Sequence, residues 1–129
     1  MPGQTNLEEL LRDLNPVLDA DEFVFCSVPD IAGHPVCIFR EREGTTLVLR
    51  RAEAERLGVE FTFPCRMITL NVHSSLEAVG LLAAVTAALA ARGISVNAIS
   101  AYYHDHLFVP AERAEEALSA IRTIRQNRR

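Results

Sequence analysis

The chain has no block of like charge, no apolar run of membrane-spanning length and no paired-cysteine motif. Its 13 basic and 17 acidic side chains are interspersed, apart from the terminal Arg128-Arg129, and leave a net charge of −4. Phosphate backbones are gripped by a cationic face, so nucleic acid is not an expected partner. The longest weakly polar run, Ala78 to Ala91, falls short of the roughly 20 residues that cross a bilayer. It contains Thr86 and keeps helical period, as a buried helix does, so no membrane association is expected. Residues 1–6 lack the charged and apolar parts of a signal peptide. Three cysteines, Cys26, Cys37 and Cys65, without Cys-x-x-Cys spacing, read as free buried thiols of a cytoplasmic protein. No Ser–His–Asp arrangement and no Gly-rich phosphate loop stands out, so neither an enzyme nor a bound cofactor is expected.

What remains is a chain of 129 residues, 49 % hydrophobic, enough for one ordinary domain or two very small ones. Leu7, Leu10, Leu11 and Leu14 recur at helical spacing behind Thr5 or Asn6 as cap, and Asn15-Pro16 ends that helix. Val17-Leu18 reads as a short strand, Asp19-Ala20-Asp21 as a turn, and Glu22 to Val28 as a strand covered on both faces. Residues 29–35 are a loop. Val36 to Arg42 and Thr45 to Arg50 form a hairpin around Glu43-Gly44. Ala52 to Leu57 is a short helix stopped by Gly58. Val59 to Phe63 is extended, and Pro64 separates it from a strand over Arg66 to His73.

A long helix is expected from Ser74 to Arg92, with Ser74 and Glu77 as a capping box. Leu76, Val79, Leu82, Val85 and Leu89 would be its buried stripe. Gly93 stops it, and Ile94 to Ile99 opens the next strand. Residues 102–106 form a turn before the Leu107–Val109 strand. Pro110 opens the last helix near its first position, with Ala114, Ala117, Leu118, Ile121 and Ile124 inward and residues 126–129 as a frayed tail. Both halves thus carry a hairpin followed by a helix, an imperfect internal duplication. Right-handed crossovers place the helices on one face of an antiparallel sheet.

Candidate binding residues follow from this layout. The N–H groups behind the Ser74–Gly80 turn can accept a ligand carboxylate, or Ser74 and Glu77 can satisfy them internally. Gly80 permits close approach. Asn97 and Ser100 lie on the following strand and face a neighbouring unit or solvent. Glu41 and Glu43, two residues apart, project to one face if the strand continues, where they serve as acid and base, as amine ligands or simply as a solvated end. His104 and His106, with His73, are the nearest approach to a metal set, and solubility of the turn explains them equally well.

The second half resembles an ACT domain. The likeness is carried by Ile68 to His73, by Ser74 to Leu82 with its Gly80-Leu81 pair, and by Ala91 to Ser100 with Gly93-Ile94-Ser95-Val96. The whole chain resembles small bacterial proteins of two ACT-like units, in which a hairpin like Glu41-Arg42-Glu43-Gly44-Thr45-Thr46 recurs. It departs from the family in its turn: His73-Ser74-Ser75 lacks the Asp, Asn or Pro common there. The resemblance implies α+β, ferredoxin-like (βαββαβ) units at residues 1–63 and 64–129. It also implies a regulatory module that binds a small molecule, an amino acid by preference, through Ser74, Ser75, Leu76, Val79, Gly80, Leu81, Asn97 and Ser100. Glu41 and Glu43 are then amine ligands. The alternative is an interaction module that has lost its ligand. Unpaired sheet edges add the expectation of a homodimer.

Overall fold

The computed structural model describes Gly3 and residues 5–127. Leu7–Arg12 forms α1 behind its cap Asn6, whose side chain accepts from the Glu9 N–H at 3.0 Å. The strands are β1 (Pro16–Val28), β2 (Cys37–Arg40), β3 (Thr45–Arg50), β4 (Thr62–Leu70), β5 (Asn97–Ser100) and β6 (Asp105–Pro110). The remaining helices are α2 (Arg51–Leu57), α3 (Leu81–Ala90) and α4 (Ala114–Gln126), the last entered through a 3-10 turn at Ala111–Arg113. All six strands join one antiparallel sheet in the order β2-β3-β1-β4-β6-β5.

That order contains one arrangement twice. β2-β3-β1-β4 is a ferredoxin-like half whose first and last strands are β1 and β4. Read from the other edge, β5-β6-β4-β1 is the same arrangement with β4 first and β1 last. The halves are therefore interleaved and share their two central strands, and β4 runs unbroken across residues 63 and 64. The repeat is sixty residues long at the hairpins: β2 and β3 recur as β5 and β6 with identical pairing, Arg40↔Thr45 becoming Ser100↔Asp105. The crossovers differ. Residues 29–36 bridge β1 to β2 as a loop, whereas α3 lies between β4 and β5.

Several boundaries depart from the sequence expectation for local reasons. β1 runs straight through the expected turn at Asp19-Ala20-Asp21. Asp19 does make the local bond (Asp21 N–H to Oδ1, 2.9 Å), but the result is a bulge, whose carbonyl accepts both Arg66 Nε (3.2 Å) and Nη2 (2.8 Å). Pro64 does not separate two segments. It sits inside β4 where the register against β1 shifts between Phe23 and Phe25, a place that asks no N–H of it, and Phe63 takes a φ of 59° to make the irregularity. β4 stops at Leu70, three residues early. α3 begins at Leu81, not Ser74, because Gly80 has a left-handed φ of 100°. The Ser74–Glu77 capping box is not formed, and Leu76 and Val79 are exposed at 66 % and 82 %. The buried stripe is Leu81, Val85 and Leu89 instead. Asp105 and His106 belong to β6, and Pro110 ends that strand rather than opening α4.

The helices share one face. Leu10, Leu14, Val85, Leu89, Leu118 and Ile121 pack on Ile68, Leu70, Leu107 and Val109. Beside them Ala54 of α2 closes over Val24, Cys26, Leu47 and Leu49. Among the described residues the opposite face has no helix, and it is still packed. Phe23, Val48, Cys65 and Phe108 are buried there, with Phe25, Cys37, Phe63, Met67 and Ile99 around them. The aromatic rings meet edge to face: Phe23–Phe108 at 5.9 Å, Phe25–Phe108 at 5.7 Å and Phe25–Phe63 at 5.9 Å. Cys37 on one outer strand and Ile99 on the other belong to this cluster, so the sheet bends around the rings until its two edges approach.

Candidate functional site

After β4 the backbone turns twice before α3. Val72 N–H donates to Leu70 O (2.8 Å) and Ser74 N–H to Val72 O (2.9 Å). Ser75 organises the next turn: its Oγ accepts from Glu77 N–H and its carbonyl from Ala78 N–H, each at 3.0 Å. Gly80 then fixes where α3 starts, because a residue with a Cβ is strained at its φ. The same Cβ would stand 3.1 Å from Leu7 of α1. Among the described residues no side chain caps α3, so its first N–H groups lack a capping acceptor there.

A cavity of about 190 Å³ lies between this loop, α3 and the β5–β6 hairpin. Ser74, Ser75, Leu76 and Ala78 form one wall, Leu81 and Leu82 a second, and Ser100, Ala101 and Asp105 the hairpin side. Five residues singled out from the sequence therefore come together: Ser74, Ser75, Leu76, Leu81 and Ser100. Gly80 is the N-cap beside them, and Val79 is turned to solvent. Asn97 is elsewhere, paired with Phe108 at the far end of β5. Glu41 and Glu43 lie in the β2–β3 turn. β2 ends at Arg40, so they do not continue one strand face, and Glu41 Oε1 accepts from Thr46 Oγ1 at 2.7 Å.

Asp105 was not among the residues singled out from the sequence. It sits in a polar run, Tyr102-Tyr103-His104-Asp105-His106, that resembles a solvated turn. The available signal was the register of the repeat, which sets Asp105 opposite Ser100 and Leu70 on the helix-covered face. It is 8 % exposed.

His106, one residue on, faces the other side. Its Nδ1 is hydrogen-bonded to Thr69 Oγ1 at 2.9 Å. Burial first and the neighbouring His104 second hold it below the usual histidine range, against a smaller opposing pull from Asp105. It lines a second cavity, of about 210 Å³, on the helix-free face with Val36, Cys37, Met67, Ile99 and Phe108. Among the described residues no three His, Cys, Asp or Glu side chains are placed to hold a metal ion. Burial, with the charge of Glu22 adding to it, pushes the Cys65 thiol up to about 12, and burial also raises Cys26. Neither has the low pKa of a nucleophilic thiol. No helix of the described residues is long and apolar enough to cross a membrane.

Sequence profiles of the ACT domain match residues 2–66 and residues 62–123. No curated protein matches the chain. Among solved structures, a protein of unknown function from Vibrio cholerae, described as a possible transport protein, is 45 % identical with a TM-score of 0.84, over 92 % of this chain and 95 % of that one. A protein from Agrobacterium tumefaciens is 16 % identical (TM-score 0.67, 87 % and 89 % covered). The ligand-free regulatory subunit of aspartate kinase from Thermus thermophilus is also 16 % identical (TM-score 0.67, 84 % and 95 % covered). The last two likenesses are of fold alone.

Proposed function

The chain belongs to the ACT domain family, and we propose that it is a small-molecule-binding regulatory module without catalysis of its own, an amino acid being its ligand. The observation that carries this reading is the cavity at the start of α3. Five residues expected from the sequence line it, and an uncapped helix N-terminus borders it, where a carboxylate is favoured. Gly80 contributes by setting where that terminus lies. The matched units overlap at residues 62–66, in line with two modules interleaved through β1 and β4 rather than joined end to end at residue 63. We place the ligand in the second module alone, because residues 29–36 supply no crossover helix to the first. Asn97, Glu41 and Glu43 fall outside this site in our reading.

A homodimer fits the same geometry. β5 is a four-residue edge strand, and Leu76, Val79, Tyr102 and Tyr103 stand exposed on the loops beside it. A second copy placed there would cover both the edge and these side chains. That exposed apolar rim also favours a second reading, an interaction module whose cavity is unused. A thermal-shift screen against the twenty amino acids and a set of nucleotides separates the two. A rise of several degrees with one amino acid, lost in Gly80→Asp, supports the sensor. No rise with any compound transfers the weight to protein partners.

A further inference from the structure

We infer that Asp105 is the residue that selects the ligand's ammonium group, so that the cavity takes a free α-amino acid with its two charged groups on different walls. This rests on reading the cavity as a ligand site and names what that site recognises.

Three observations carry it. Asp105 is 8 % exposed, yet no ion pair or side-chain hydrogen bond among the described residues reaches its carboxylate. No described side-chain oxygen is both sealed from solvent and unpartnered, so its carboxylate reaches solvent, and Asp105 is among the residues that line the cavity. A recessed carboxylate with no partner of its own favours a cationic occupant beside it. Second, the fold itself does not ask for this charge. Sixty residues earlier, at the same register of the first hairpin, stands Thr45, equally buried at 8 %. The charged residue is present only in the half that has the cavity. Third, the uncapped N-terminus of α3, at Leu81 and Leu82, borders the same cavity, and such a terminus attracts anions. Carboxylate toward α3 and ammonium toward Asp105 is the one orientation in which both ends of a zwitterion are satisfied. Leu76, Ala78 and Leu82 leave an apolar space for a small side chain.

The test uses the full chain, Asp105→Asn and Asp105→Thr. The first variant keeps the shape, and the second installs the residue the other half already carries. The probes are the twenty amino acids and the 2-hydroxy acids matching valine, leucine and isoleucine, read by thermal shift and calorimetry. The expected result is that an amino acid binds the native chain and its 2-hydroxy acid binds about tenfold or more weakly, while both variants lose that preference. Without a bound molecule, both variants should melt at the native temperature or above it. Amino-acid binding that survives Asp105→Asn overturns the inference and leaves the sensor reading intact; a 2-hydroxy acid binding better than any amino acid overturns the inference and also the choice of an amino acid as ligand. A marked drop in melting temperature for both variants overturns it too, by showing that Asp105 serves the fold. If none of these compounds binds the native chain, both readings fall together.

Discussion

Replacing Phe108 by alanine tests whether the helix-free face of the sheet is a core or a coat. Phe108 is 1 % exposed and meets Phe23 and Phe25 edge to face. Truncating a buried phenylalanine costs about 3–5 kcal/mol, and each lost ring pair accounts for about 0.5–1.5 kcal/mol of that. The expected fall in melting temperature is on the order of 10–20 °C. The control is Phe39→Ala on β2, a ring 67 % exposed, which should change stability by no more than about 0.5 kcal/mol. The chain has no tryptophan, so urea unfolding is followed by far-ultraviolet circular dichroism. A double-mutant cycle with Phe23→Ala should give a coupling near the ring-pair value. Were Phe108→Ala to cost no more than Phe39→Ala, the bent sheet would have no packed interior on that side. The burial of Phe23, Val48 and Cys65 would then need another cause.

Three further expectations follow from the same geometry. Gly80→Ala forces a Cβ into a left-handed backbone and against Leu7; it should destabilise by about 1–2 kcal/mol in urea titration, and an unchanged midpoint would count against Gly80 as the element that starts α3. His106 is held below its ordinary value of 6.5, so below that pH the unfolded chain binds a proton the folded chain resists. Stability should therefore fall as pH drops through and below 6.5, and His106→Gln should flatten that fall in melting curves taken from pH 7.5 downward. In native alkylation followed by mass spectrometry, Cys37, which is half-buried, should be modified well before Cys26 and Cys65, whose buried thiols resist ionisation; equal rates would refute the burial argument.

The local elements were legible because local chemistry makes them. Asn6 caps α1 as its side chain suggests, and Gly58 closes α2 in a left-handed conformation. Ala114, Ala117, Leu118 and Ile121 face the core at helical spacing. Illegible features depended on partners far along the chain. The continuity of β1 through Asp19–Asp21 requires Arg66, and the place of Pro64 inside β4 requires the register against Phe23 and Phe25. Ser74 and Glu77 have the spacing of a capping box, but whether a helix starts there is decided at Gly80. Of the site, the loop and Ser100 could be read from patterns and resemblance. Asp105 could be reached only through the register of the repeat, because its burial exists only once β6 is paired with β4 and β5.

The sharing of β1 and β4 bears on how any message could leave the molecule. Two-module regulators commonly signal by swinging about a linker. Here the modules are sewn together through β1 and β4, paired along much of their length, and the seam leaves no joint about which they could rotate. An occupant of the cavity can therefore act on what lies outside that seam: the mouth loop, the start of α3, the short outer strand and the surface they present. Under the sensor reading, a partner would meet this protein at its border.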